Sequence, residues 1–508
     1  MRLARSFGQS TKLILLTILA VVIHGYHLGV DDGAIYVPGI KKFFDPQLYP
    51  FGAEFFQHHS RMSIFAPTVA LAARVLHLPI DVAVFLAFIL CTFFLLLTGW
   101  RLACLCFLTA RARWAAVSLL AAILTVPIAG TALVISDPYL TARSLSTPLT
   151  MLAIEFFLRG KKGVAFFLIF LTALVHPQMA VFGVGFMIFD ALSEHWSSKN
   201  PAHATSAAAV FMPSPSHWFQ GFNFQPVHGT YREVLYSRTF FFASLWQWYE
   251  WIGVVLPLAI LHALSRLQPR NASPMFQRIC RALVPFGIFS TIVFLVLSSS
   301  RYLANFTRLQ PMRSFHVIYV LFCILLGGLL GEYILKNRVW LWLAVFVPLS
   351  IGMFAVNRVT YPHSPHIEWP DRANPNPWVS AFLWVRDNTP KDAVFALDPR
   401  YLAIPEEDQH GFRAIAERSV LADAVKDSGA VSLFPQLTSD WEAQQQAVAG
   451  WNHFQTADFI RLAHQYPVTW VILQGPIPSG FNCPYQNNTV TVCCIPLDAT
   501  THSAGSRP

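Results

Sequence analysis

Apolar runs long enough to cross a bilayer recur along this chain, and the short links between them carry arginine and lysine in alternation. A crossing helix takes about 20 apolar residues, and hydrocarbon obliges every backbone polar group in it to bond internally. The runs at 12–29, 80–100, 114–135, 144–158, 163–192, 250–265, 282–299, 314–331 and 339–356 are the candidates. Only 12% of the 508 residues are charged, against about 25% in soluble domains. The expected fold is a polytopic α-helical membrane protein of about nine spans with a C-terminal α/β domain outside the membrane.

Charge sets the direction of threading. Arg101, Arg111 and Arg113 share one parity with Arg159, Lys161 and Lys162, with Arg266, Arg270, Arg278 and Arg281, and with Lys336 and Arg338. Positive loops stay cytoplasmic, as does the start with Arg2, Arg5 and Lys12. The net charge of +9 is thereby explained by topology and needs no nucleic acid. The basic start resembles a signal peptide, but no small-residue cleavage site precedes Asp31, so the first span is expected to be retained. His176-Pro177 interrupts the run 163–192, which is read as one kinked crossing because that keeps loop 266–281 inside.

Two stretches are too polar to span. The first outer loop, 30–79, holds an expected helix at 33–44, a turn at Asp45-Pro46, and the short apolar piece IFAPTVALAARVLHL. With Arg74 and His77 that piece is expected to lie in the interface. A Pro-rich linker, 357–377, leads to 378–498, where helix and strand signals alternate as in a small α/β domain. The tail 499–508 is expected to be disordered, and residues 1–356 form the membrane domain. Cys91, Cys104, Cys106, Cys280 and Cys323 read as packing residues. Cys483 has Cys493 or Cys494 as a partner if the tail is extracytoplasmic.

Asp31 and Asp32 stand at the mouth of the first span. Ionisable groups there are expensive unless they meet water or a polar cavity, and a carboxylate can accept a proton from an attacking hydroxyl. Capping the helix that follows is the plainer reading. Asp137, after the third span, faces the same side and pairs with Arg143 or lines a cavity. Arg301, Arg308 and Arg313 depart from the positive-inside pattern on the outer side. Their guanidinium forks suit a phosphate, and snorkelling to headgroups is the alternative. Arg313 is nearest a helix start, where backbone N–H groups also favour an anion. The stretch 231–251 makes an aromatic belt or a sugar-binding wall with Arg232, Glu233, Arg238 and Trp246. Tyr36 and His176 complete the substrate-binding candidates. No GxxxxGK[ST], HExxH or GxSxG run is present, so phosphate-loop, zinc-protease and serine-hydrolase chemistries lack sequence support.

A first span, an acid-bearing outer loop and a second acid after span three resemble the GT-C class of integral membrane glycosyltransferases. DDGAIYVPGIKKFFDPQLYP, the HPQ of the broken span, SRTFFFASLWQWYEW, LQPMRSF and WVRDNTPKDAVF…AERSVLAD are similar to a bacterial branch of that class. The resemblance implies a bacterial inner-membrane enzyme that moves a sugar from a polyprenyl-phosphate donor to a glycan, lipid or protein acceptor. Asp31 or Asp32 would be the acid/base residue, Asp137 the second acid, and Arg313 with Arg308 the donor-phosphate ligands. Many members of that class carry a paired acidic motif where this chain has Asp137 alone, so no metal or other cofactor is assigned. A transporter or lipid flippase and a non-catalytic envelope assembly protein are the competing functions.

Overall fold

A computed structural model describes residues 2–197, 222, 224–370 and 372–496; the tail 499–508 lies outside them. In chain order the helices are α1 Arg2–His24, α2 Gly33–Phe44, α3 Glu54–Arg61, α4 Phe65–Val75, α5 Ile80–Cys106, α6 Ala110–Ala122, α7 Ala142–Leu158, α8 Lys162–Val175, α9 Pro177–Ser197 and α10 Gly229–Tyr236. They continue with α11 Trp248–Arg266, α12 Pro274–Ser299, α13 Phe315–Leu329, α14 Val339–Thr360, α15 Pro377–Asn388, α16 Phe412–Ala416, α17 Lys426–Leu433, α18 Thr438–Ala447 and α19 Thr456–Gln465. The strands are β1 Pro127–Ile128, β2 Leu133–Val134, β3 Val394–Ala396, β4 Ser419–Val420, β5 Trp470–Leu473, β6 Asn482–Gln486 and β7 Thr491–Cys494. Two compact units result. The first takes Met1–Tyr26, Ser63–Phe65 and Val84–Arg358, and the second His27–Met62, Ala66–Ala83 and Val359–Pro508.

The first unit is mostly helical, with the short hairpin β1–β2 as its sheet, and its long helices are apolar. Among the described residues five segments are long and apolar enough to cross: Ile80–Cys106, Trp248–Arg266, Pro274–Ser299, Ala304–Leu335 and Val339–Thr360. Within this unit α7 packs on α8 and α9, α9 on α12, α12 on α11, and α13 on α6. Buried acids hold the basic loops together at one end. Glu155 bonds Arg101 at 3.0 Å and also meets Arg159, Asp190 takes Arg278 at 2.6 Å, and Glu332 takes Arg111 at 2.6 Å and Asn271 at 2.7 Å. Lys12, over the Trp114 ring, belongs to the same end. At the other end α1 and α14 finish side by side, because the Asn357 side chain donates to the His24 carbonyl at 2.7 Å.

Two expected spans take different forms. The run 163–192 is two helices, α8 and α9, with His176 extended between them. A Cβ built on Gly183 would come within 2.7 Å of Ile169 Cδ1. Residues 14 apart in one helix would be about 21 Å apart, so the chain doubles back at His176-Pro177 instead of kinking. Pro removes the ladder hydrogen bond there, and the chain completes the reversal. The run 114–135 is helical only to Ala122. Pro127 disfavours helical backbone before it, Gly130 and Ala132 take positive φ, and β1 pairs with β2 across that turn.

The second unit is built on a five-stranded sheet of order β4-β3-β5-β7-β6. β4, β3 and β5 run parallel, while β7 is antiparallel to β5 and to β6. α15 leads into β3 and α19 into β5, the helix–turn–strand order read from the sequence. A Cys483–Cys493 disulfide links β6 to β7 and leaves Cys494 free. The first outer segment belongs to this unit: α2 packs on α16 and α3 on α17. Tyr49 Oη donates to the Arg413 carbonyl at 2.8 Å, and the Phe51 N–H donates to Ser419 Oγ at 3.0 Å. Gly411 approaches α2 so closely that a Cβ there would meet Ala34 Cβ at 2.4 Å.

Candidate functional site

In the second unit Asp31 and Asp32 precede α2, and Asp31 takes a left-handed backbone with φ of 47°. Asp32 occupies the cap position, but its side chain makes no capping hydrogen bond. Instead Lys426, the first residue of α17, forms an ion pair with Asp31 and reaches Asp32 at 3.7 Å. The acids remain accessible, with side chains 53% and 31% exposed. A lysine beside them lowers their charge cost and orients them. It also competes with any role as proton acceptor. Tyr36 on α2 is buried and hydrogen-bonded to His59 Nε2 at 2.8 Å.

Two further polar groups lie deeper in this unit. Lys41, fully buried on α2, bonds Asp81 and Glu417 at 2.8 Å each. Burial works to lower its pKa, but the two carboxylates outweigh that and raise it above the ordinary 10.5. Glu368 is the centre of the other group. Its Oε1 accepts from His27 Nδ1 at 2.9 Å and His410 Nε2 at 2.8 Å, and its Oε2 accepts from the Leu28 N–H at 3.2 Å. Burial would push the Glu368 carboxyl up, yet the charge on His410 and the two ring hydrogen bonds hold it down to about 2. The same carboxylate raises His410 against the effect of its own burial. The Tyr361 ring lies 3.9 Å from the His27 ring, centroid to centroid.

Arg413 bonds both oxygens of Asp427, at 2.8 and 2.9 Å. Asp423 Oδ1 accepts from the Val425 and Lys426 N–H groups and so caps the start of α17. Burial and the neighbouring Asp427 charge raise the Asp423 carboxyl. These contacts fix the position of Lys426 and, through it, the surroundings of Asp31.

In the first unit Asp137 is buried and pairs with Arg143 Nη2 at 2.8 Å, with Thr141 Oγ1 at 3.4 Å. The pair lines a small cavity with His316 and the apolar Leu95. His316 is buried on α13 and its Nε2 meets the Ile135 carbonyl at 2.8 Å. Arg308 is nearly buried over the Phe222 ring at 3.8 Å, with Tyr231 bonded to the adjacent Asn305 at 3.4 Å. Arg313 lies 5.8 Å from the Phe240 ring, while Arg301 is exposed beside its neighbour Tyr302. Each of the three thus lies over an aromatic ring, Arg301 over Tyr302 at 5.1 Å, and Arg308 is the most buried of them.

The substrate-wall residues divide in the same way. Arg232 and Glu233 are exposed on α10, with Arg232 over the Tyr236 ring, and Arg238 is half-buried. Trp246 is buried against Gly130, Trp251 and Phe294, so its ring is committed to packing. Trp248 and Tyr249 are exposed, as in an aromatic belt. His176 terminates α8 at the reversal.

Sequence reasoning passed over Lys41, His316, Glu368, His410 and Lys426. Lys41 carried a usable signal, since it and Lys42 are charges set in an otherwise apolar helix. The partners of the others lie 42 to 395 positions away. Residues 376–451 match a family described as a domain of unknown function, DUF6798. That stretch includes His410, Arg413, Glu417, Asp423, Lys426 and Asp427. No curated protein matches the chain.

Proposed function

We propose that this chain is a GT-C-like membrane glycosyltransferase that moves a sugar from a polyprenyl-phosphate donor to an acceptor at the outer face of a bacterial inner membrane. The observation that carries the reading is the placing of Arg308 and Arg313 among rings at the head of the apolar segment Ala304–Leu335. An arginine desolvated on an aromatic face binds a phosphate dianion more strongly than one in water. The rings offer a surface to the first isoprene units of a lipid donor. In this reading arginine neutralises the departing phosphate, and Asp31 or Asp32 takes the proton of the acceptor hydroxyl. One in-line displacement at the anomeric carbon inverts its configuration.

The reading places the N-terminus in the cytoplasm and the second unit outside. Two features support it: the basic loops gather at one end of the first unit, and α1 and α14 finish together at the other. The adjoining ends of α1 and α14 call for an odd number of crossings, as the nine expected from hydropathy supply. If α8 and α9 each cross, this reading needs one further crossing elsewhere in the chain. A non-catalytic assembly protein is the second reading, and Lys426 favours it by occupying both acids.

The test is transfer of radiolabelled sugar in membranes supplied with polyprenyl-phosphate sugars. Wild type is compared at matched expression with Asp31→Asn, Asp32→Asn and Arg313→Ala. Loss of a general base costs roughly 10²–10⁴-fold, so one Asn variant is expected to lose transfer on that scale. Arg313→Ala, which removes donor binding as well as neutralisation of the leaving phosphate, is expected to lower kcat and to raise the donor KM. Full activity in both Asn variants would sink the acid/base assignment, and a transfer-silent wild type across the donor panel would favour the assembly reading.

A further inference from the structure

α4 is a short helix whose outward stripe is apolar. Phe65, Ala66, Val69, Ala70 and Ala73 are buried, and the exposed positions interleave with them at helical spacing: Thr68, Leu71, Ala72, Val75 and Leu76, with Ile64 just ahead. Leu71, Val75 and Leu76 are 60%, 66% and 64% exposed. A water-facing stripe on a helix is ordinarily polar or charged. This one has a single hydroxyl and no charge, while Arg74 turns aside to donate to the Phe43 carbonyl at 2.9 Å. Exposed apolar side chains grouped in this way mark a contact surface.

We infer that α4 lies in the plane of the membrane interface and inserts Leu71, Val75 and Leu76 among the lipids of the leaflet that α5 enters. Continuity with a crossing helix selects lipid as the occupant. α5, apolar enough to span, begins at Ile80, and four residues of chain reach at most about 14 Å. The Leu76 end of the stripe is therefore held within about 14 Å of the start of α5. At 11 residues α4 is too short to cross, and apolar helices of this kind bind with the axis in the plane and the apolar face a few ångströms below the headgroups. Arg74 and His77 flank the stripe at headgroup level, where cations are favoured. The inference does not depend on glycosyl transfer: it concerns how residues 64–77 meet the bilayer in any of the functions considered.

The test uses the full-length chain in phosphatidylcholine–phosphatidylglycerol nanodiscs, with a nitroxide attached in turn at Leu71→Cys, Val75→Cys and Leu76→Cys. Lys391→Cys, on the exposed surface of the second unit, reports water, and the wild-type chain carried through labelling reports background from native cysteines. All four positions are exposed, so the substitutions leave packing intact, and elution in size exclusion checks each variant. Collision with dissolved oxygen is expected to rise several-fold, and collision with a water-soluble nickel chelate to fall several-fold, at 71, 75 and 76 relative to 391. Nickel accessibility equal to that at 391 would overturn the inference in favour of a water-exposed helix. Immobile labels shielded from both reagents would overturn it in favour of a protein partner.

Discussion

His410→Ala is expected to lower the stability of the second unit by about 3–5 kcal/mol, the usual cost of leaving one member of a buried ion pair without its partner. Glu368 is buried and His410 almost wholly so, and one carboxylate oxygen serves both His27 and His410. The pH dependence follows from the two shifts. Glu368 is held at about 2 against an ordinary 4.5. A depressed carboxyl contributes stability that is complete above the ordinary value and is lost as pH falls through the folded one. His410 is raised from 6.5. Its contribution is complete below 6.5 and is lost as pH rises through the raised folded value. Both are complete only between 4.5 and 6.5, so wild type should show its highest Tm in that window, with losses on either side.

Thermal unfolding of the detergent-solubilised chain, followed by tryptophan emission at a series of pH values, measures this. Glu368→Gln keeps hydrogen-bonding capacity but removes the charge, so its Tm should vary less with pH than that of wild type. A wild-type profile that rises steadily through pH 6.5 to alkaline values would refute the assignment. So would a His410→Ala protein as stable as wild type. The group ties residues 27–28 to 368 and 410, and the ladder contact Val30–His410 and the Gly411-to-Gly29 hydrogen bond of 2.9 Å lie beside it. Loss of the ion pair should therefore loosen the chain where it leaves α1.

This group also explains what could be read in advance and what could not. The helix at 33–44 was legible because acids stand before it and Asp45-Pro46 ends it, and α2 has those bounds. Strands β3, β5 and β7 were legible as short β-branched and aromatic runs after helix-like segments. Asp137–Arg143 was legible because its members are six residues apart. Glu368 reads as one polar residue of a proline-rich linker, and nothing in its neighbourhood names His27 or His410, which are 341 and 42 positions away. Lys426 meets Asp31 across 395 positions. Hydropathy and local spacing carry no information on such pairings, because loop closure costs little more over hundreds of residues than over tens. The same limit applies to the helical reversal. His176-Pro177 marks a break, but whether the chain continues or returns is decided by what α9 packs on, namely α7, α8 and α12.

Helix contact inside the first unit leads to the other large effect, expected at Gly327 and Gly331. Lipid is as apolar as a leucine side chain, so membrane helices gain little from hiding apolar surface against one another and associate through close packing over small residues. α13 and the π-helical turn Leu330–Leu335 that continues it meet α6 in that manner. A Cβ on Gly327 would come within 2.8 Å of Ala116 Cα, and one on Gly331 within 2.8 Å of the Arg111 carbonyl oxygen and 2.5 Å of Ala115 Cβ. The obstructing atoms are mostly backbone or Cβ and cannot swing away. The two glycines are four apart, one turn, and face a surface made of Ala112, Ala115 and Ala116. Gly327→Leu or Gly331→Leu must push α6 off α13, which exceeds the roughly 1–3 kcal/mol of ordinary overpacking. Gly352→Leu supplies the control: it sits in the apolar helix α14, where a Cβ meets nothing within 4 Å. All three substitutions add the same apolar volume to a hydrophobic helix, so insertion into the membrane should be equal. Monodisperse recovery in detergent should collapse for 327 and 331 and stay at the wild-type level for 352. Equal recovery of all three would mean that α6 and α13 do not rely on this contact. Loss of all three would point to membrane insertion instead of packing.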